Sequence, residues 1–276
     1  MKILITGANG FLGKHLVSKL LDDGHYITLI LRMNTKIPDF FIHSRINIFY
    51  FDLNDINKFN LIKPIHPDVL IHLAWDNLPN YTSNLHLLNY HHHINFFNSI
   101  IRFGIKKIIV TGTCLEYGIS ENLLFENKDV KPTTIYGLTK NMLRQYLQFM
   151  QKYYSFHLQW LRIFYVYGPG QHPNSLYSQI QHAIINNDAE FKMSKGDQIR
   201  DFIHVNDVSR IVSNAVKNNS VEGIINVCSG KPQKVIDFVK KLLDGNKIKL
   251  NNNYYDYPSY EPKNFWGSTE KLKQLI

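Results

Sequence analysis

At 276 residues, with 44% hydrophobic and 19% charged residues, the chain can bury one large α/β core and is neither disordered nor fibrous. Two cysteines exclude a secreted disulfide framework and point to a reducing compartment, and no apolar run approaches the roughly 20 residues of a membrane span. The formal charge of +9 attracts polyanions, but the lysines and arginines are scattered, the densest groups being pairs such as Lys106-Lys107 and Lys240-Lys241, so nucleic acid is not an expected partner. The opening residues are not a signal peptide, because glycines and an asparagine interrupt the apolar run; a cytoplasmic, soluble protein is expected.

Residues 2–6 form a short apolar run that ends at a glycine turn. Leu12, Leu16, Val17, Leu20 and Leu21 then share one face of a helix, which Gly24 stops. Tyr26–Leu31, Ile46–Phe51 and Val69–Leu73 read as the second, third and fourth strands, and residues 85–103 as a long helix ended by Gly104. Lys107–Val110 is a fifth strand, residues 134–154 another long helix, and Leu158–Phe164 a sixth strand. This alternation predicts an α/β, Rossmann-like doubly wound parallel sheet. Beyond Gly168-Pro169-Gly170 the pattern loosens: a helix over about 174–187, a helix over Asp207–Asn218, a strand at Gly223–Val227, a helix at Val235–Leu243, and an irregular end that turns weakly helical. The expected division is a dinucleotide-binding unit over 1–168, joined by about 205–230, with 169–204 and 231–276 forming a small lobe. That lobe is expected over the sheet's carboxyl edge, where open α/β sheets bind ligands.

Gly7, Gly10 and Gly13 stand between the first strand and the first helix. The first permits a tight turn, the second lets backbone N–H groups approach a pyrophosphate, and the third allows close helix–strand packing. Arg32 ends the second strand where a carboxylate would hold the ribose diol of NAD. An arginine there pairs with a 2′-phosphate, so NADP(H) is the expected cofactor, with NAD(H) as the other candidate. Asp52, beyond the third strand, is placed either to meet the adenine or to close a turn.

Tyr136 and Lys140 project from the same helix face, and the lysine is expected to lower the phenol's pKa so that it trades a proton with substrate. Alone this spacing also occurs as a surface pair. Thr113, leaving the fifth strand, offers a hydroxyl for the same substrate oxygen. The three consecutive histidines at 91–93 point in divergent directions on a helix and cannot share one ion, so no metal is expected. Cys114 lacks an evident base partner for nucleophilic chemistry, and Trp75, Trp266 and Tyr177 are expected to pack.

The ordered set Thr6-Gly-Ala-Asn-Gly-Phe-Leu-Gly13, His72-Leu-Ala-Trp75, Thr113 to Gly118, Tyr136 to Lys140, Leu161-Arg162, Tyr167 to Gly170 and Arg200 to Val205 resembles the extended short-chain dehydrogenase/reductases. The similar branch is that of the epimerases and dehydratases acting on nucleotide sugars. The resemblance implies Tyr136 as proton donor or acceptor, Lys140 holding the nicotinamide ribose, and Thr113 polarising the sugar's C4 oxygen. It implies a cofactor lined by Gly7, Asn9, Gly10, Phe11, Leu12, Gly13, Arg32, Asp52, Leu53, Leu73, Ala74, Tyr136 and Lys140. Substrate would meet Thr113, Cys114, Tyr136, Tyr165, Asn174 and Arg200, the last gripping the diphosphate. Asn89 matches a helix-stabilising asparagine, and Asp201 and Asp207 are expected to orient loops. A homodimer through helices near 85–103 and 134–153 is implied as well. Tyr165 stands where the family often carries Asn, and Cys114-Leu115 stand where the dehydratases carry the Asp-Glu that eliminates water; Glu116, one residue later, is expected to be a loop residue. The reading is an NAD(P)H-dependent 4-ketoreductase of a nucleoside-diphosphate 4-keto-6-deoxyhexose, dTDP-linked, serving deoxysugar and surface-glycan (O-antigen) synthesis. An NAD-dependent 4-epimerase is the alternative; a non-catalytic dinucleotide-sensing or RNA-associated relative is the distant one.

Overall fold

The computed structural model describes residues 1–257 and 262–276. Its strands are β1 (Lys2–Thr6), β2 (Tyr26–Leu31), β3 (Ile46–Tyr50), β4 (Val69–His72), β5 (Lys107–Thr113), β6 (Asn122–Leu124), β7 (His157–Ile163), β8 (Tyr165–Tyr167), β9 (Glu190–Met193), β10 (Ile199–His204), β11 (Gly223–Val227), β12 (Pro232–Lys234), β13 (Lys249–Asn252) and β14 (Phe265–Gly267). The helices are α1 (Phe11–Asp22), α2 (Leu85–Arg102), α3 (Ile135–Met150), α4 (Leu176–Asn186), α5 (Val205–Lys217) and α6 (Val235–Leu243).

Seven strands form one sheet in the order β11-β7-β5-β4-β1-β2-β3, and its pairings are parallel. Because side chains alternate across a strand, β1 sends Ile3 and Ile5 to one face and Leu4 to the other; β4 does the same with Val69 and Ile71 against Leu70. On the first face lie Leu16, Val17 and Leu20 of α1 and Val208, Ile211, Val212 and Ala215 of α5. On the second lie Phe96, Phe97, Ile100 and Ile101 of α2 and Leu143 and Leu147 of α3. The chain runs outward from β1 to β3 and returns at β4, so the order reverses between β1 and β4. That switch point opens the crevice at their carboxyl ends.

The sheet departs from the sequence reading in places. β5 continues past Val110 to Thr113, because β7 pairs with it along its whole length; the run Thr111-Gly112-Thr113 disguised a fully buried strand. α3 stops at Met150, and its start is fixed by the Thr134 hydroxyl accepting from Gly137 N. α5 begins at Val205, where the His204 side chain accepts from Asn206 N. The weakly helical end is a single 3₁₀ turn, Leu272–Gln274. The smaller sheets, β12-β10-β8, β13-β9 and β14-β6, join segments too distant in sequence for local patterning to pair. No helix among the described residues is long and apolar enough to cross a membrane.

Two glycines are fixed by the backbone around the crevice. Gly7 has φ +73°, and a Cβ there would lie 2.5 Å from Ala74 N; at Gly13 it would lie 2.3 Å from Gly7 O and 2.5 Å from Ala8 O. α1 therefore rests directly on the turn it follows. Gly13→Ala is expected to destabilise by about 1–3 kcal/mol through overpacking, read as a lower thermal midpoint; an unchanged midpoint would show that the turn can move aside.

Candidate active site

A cavity of about 280 Å³ lies at the switch point, bounded by Thr6, Gly7, Asn9 and Gly10, by Arg32 and Thr35, by Asp52 and Leu53, and by Leu73 to Asp76. Eight of the thirteen residues expected around a dinucleotide thus share one hollow; Phe11, Leu12, Gly13, Tyr136 and Lys140 do not line it. Leu12 packs on the core and Gly13 is buried beneath the turn. Gly10, the N-cap of α1, lines the hollow and brings no capping side chain, so the helix opens at the cavity's edge. Asn9 donates to Lys36 O at 3.0 Å, while its Oδ1 is buried with no hydrogen-bond partner among the described residues. A glycine cradle, a helix N-terminus and an orphaned acceptor suit an anionic dinucleotide with hydroxyls to donate. Asp52 closes a turn by accepting from Asn54 N at 3.1 Å while still lining the cavity.

Arg32 stands at the rim, but its guanidinium is engaged: Nη1 lies 3.1 Å from Asp76 Oδ1. The absence of an acid just after β2 is thus made up in space by one that follows β4.

β5 delivers Thr113, and the first turns of α3 deliver Tyr136 and Lys140 beside it. All three are buried, at 7%, 8% and 1% exposure. Burial pushes the Tyr136 phenol well above its ordinary range, reinforced by Tyr81, Glu116 and Cys114; a hydrogen bond with the Thr113 side chain pulls the other way. Burial also pulls the Lys140 ammonium down to about 7, with the Glu116 carboxylate opposing. Its Nζ donates to Thr111 O at 2.8 Å and sits 4.1 Å over the Trp75 ring, against 5.9 Å to the Tyr136 ring. The expectation that the lysine lowers the phenol's pKa is corrected here: burial dominates, and the ammonium is closer to the indole.

Glu116 departs from the loop position expected of it. It is no loop residue but a fully buried hub, 0% exposed. Its Oε1 accepts from Thr113 N at 2.9 Å and Trp160 Nε1 at 2.8 Å; its Oε2 accepts from Arg162 Nε at 2.9 Å, with Arg144 Nε at 3.8 Å. Thr113 and Glu116 form a capping box, and that Thr-x-x-Glu spacing was the available signal.

Trp75, expected to be simple packing, does pack, but at the site. One face stacks on His93, with centroids 4.6 Å apart. The indole N–H donates to His86 Nδ1 at 3.1 Å, which leaves His86 Nε2 to donate to Asn80 O at 2.7 Å. The histidine run separates as its spacing predicted: His93 is buried against His72 at 3.0 Å, while His91 bonds with Asn95.

Outside the lining of that cavity, Arg200 on β10 is 2% exposed. It donates to Ile199 O at 2.8 Å and Lys263 O at 3.0 Å, contacts the Tyr257 hydroxyl, and lies 5.1 Å from the Tyr165 ring centroid. Tyr165 and Arg200 are together; Asn174 is exposed on the turn before α4, and Cys114 is buried in an apolar cluster with Tyr117, Phe164 and Cys228. Asp201 holds the Ser229–Gly230 turn through three bonds of 2.6–3.0 Å, and Asp207 pairs with Arg210 at 2.8 Å.

Known proteins carry the same pattern. The sequence profile described as the NAD dependent epimerase/dehydratase family matches residues 3–228. The chain is 32% identical over 274 residues to dTDP-6-deoxy-L-talose 4-dehydrogenase (NAD(+)) of Aggregatibacter actinomycetemcomitans, covering 97% of this chain and 100% of that one. It is 27% identical to dTDP-4-dehydro-6-deoxyglucose reductase of Escherichia coli, covering 90% and 82%. In fold it superposes on UDP-N-acetylglucosamine 4-epimerase from Methanobrevibacter ruminantium M1 with a TM-score of 0.87 at 24% identity, over 99% and 91% of the two chains. With its parallel sheet, glycine turn and tyrosine–lysine helix, the chain belongs to the NAD dependent epimerase/dehydratase family, oxidoreductases of the extended short-chain dehydrogenase/reductase class.

Proposed function

We propose that the protein is an NAD(P)H-dependent 4-ketoreductase acting on a nucleoside-diphosphate 4-keto-6-deoxyhexose, dTDP-linked, that makes an activated deoxysugar for surface glycans. The observation that carries this reading is the buried Tyr136 phenol bonded to Thr113, with Cys114 and Leu115 in place of an eliminating acid pair. The named activities of the two relatives, a 4-dehydrogenase and a 4-keto reductase of dTDP-6-deoxy sugars, point the same way.

A bound nicotinamide dinucleotide supplies hydride to C4. Tyr136 delivers its proton to the C4 oxygen, and Thr113 hydrogen-bonds the same oxygen. The Lys140 ammonium stabilises the alkoxide charge from within a cleft where burial strengthens electrostatics. Glu116 holds the Thr113 backbone in register for this role. Arg200 is the guanidinium proposed to meet the diphosphate. The apolar side chains Leu85, Leu87 and Leu88 exposed on α2, with Phe149 on α3, support a homodimer through these helices.

Absorbance at 340 nm with NADPH or NADH over a panel of 4-keto-6-deoxy sugar nucleotides tests the reading. Rapid oxidation with one nucleotide is expected. No oxidation, together with NAD retained on the purified protein, would replace the ketoreductase with a 4-epimerase.

A further inference from the structure

We propose that Asp76 sets the cofactor selectivity of this site, as the counter-ion that withholds Arg32 from a 2′-phosphate. The inference rests on the dinucleotide reading of the cavity and goes beyond it. Arg32 follows β2 and Asp76 follows β4, and β1 with its glycine turn lies between those strands. Both side chains line the same cavity as Gly7 and Gly10. Their 3.1 Å ion pair therefore links the two walls of the hollow.

The carboxylate is presented by an anchored backbone. Asn89 Nδ2 donates to Asp76 O at 3.0 Å, and the preceding Trp75 is held by His86 through its N–H and by His93 and Lys140 at its faces. The charged groups lining the cavity are then one guanidinium, Arg32, and two carboxylates, Asp52 and Asp76. A phosphate dianion entering that rim must break the ion pair and settle near a displaced carboxylate, which repels it. A ribose 2′-hydroxyl meets neither penalty and can donate to a carboxylate. Asp76 thus keeps NAD(H) competitive in a site whose Arg32 by itself favours NADP(H).

Both partners are more than half exposed, with side-chain exposures of 65% and 56%. Such a pair adds little to folding stability, so variants at either position remain folded. The test is direct titration of the full-length protein with NADPH and with NADH. Asp76→Asn is expected to tighten NADPH by about five- to tenfold, the sum of a released guanidinium and a removed charge, with NADH changed by no more than about twofold. Arg32→Ala is expected to weaken NADPH selectively, and adding Asp76→Asn to it should recover less than Asp76→Asn gives alone, the signature of a coupled pair. Equal tightening of both nucleotides, or a full Asp76→Asn effect without Arg32, would overturn the proposal. Wild-type protein that binds neither nucleotide would instead remove the cofactor reading beneath it.

Discussion

Tyr136→Phe is expected to lower turnover by about three orders of magnitude, within the range for loss of a positioned general acid, while dinucleotide affinity stays within about twofold. The substitution deletes one hydroxyl and keeps the ring that Tyr81 stacks on at 5.6 Å, that His86 meets at 5.3 Å and that Trp75 meets edge-on at 5.9 Å. The cavity lined by the glycine turn does not include Tyr136, so the dinucleotide walls are untouched. What disappears is the proton source beside Thr113. Single-turnover reduction followed at 340 nm separates the two quantities; turnover close to wild type would remove Tyr136 from the mechanism.

The largest effect on stability is expected at Glu116. Glu116→Ala leaves Arg162, 1% exposed, without its counter-charge, and strips acceptors from Trp160 Nε1 and Thr113 N. Removing one partner of a buried ion pair destabilises by about 3–5 kcal/mol, which lowers the thermal midpoint of a chain this size by about 10 °C. Glu116→Gln keeps an acceptor for Thr113 N or Trp160 Nε1 while losing the charge, and is expected to fall between wild type and Ala. Circular dichroism melts of the three proteins order them. A loss below about 1 kcal/mol for Ala would mean that the two arginines find other acceptors.

The same carboxylate shows where sequence stops being sufficient. The glycine turn, the sheet's alternation and the Tyr136–Lys140 pair were legible because each depends on spacing within one or two adjacent elements. Glu116 was legible only as far as its capping-box spacing to Thr113; its other partners come from β7 and α3, and only their packing against the end of β5 makes it a buried hub. Asp76 was hidden for a related reason: its nearness to Arg32 exists only because β1 inserts between β2 and β4. The direction of the Tyr136 shift failed similarly, since burial is a property of the folded cleft and outweighed the neighbour that the helix spacing supplied. Arg200 was found as a residue, but its engagement with Lys263 and Tyr257 required a segment from the end of the chain.

The two-faced sheet has a consequence for how the chain emerges during synthesis. Every residue lining the dinucleotide cavity lies within the first 93 positions, whereas α1, which opens at that cavity, is covered on its apolar side by α5. Until residues 205–217 leave the ribosome, Leu16, Val17 and Leu20 have no helical cover, so the nascent chain carries an exposed apolar face through most of its translation. A chain halted after β7 would hold the cavity's lining residues yet leave the apolar side of α1 without the cover that α5 gives it.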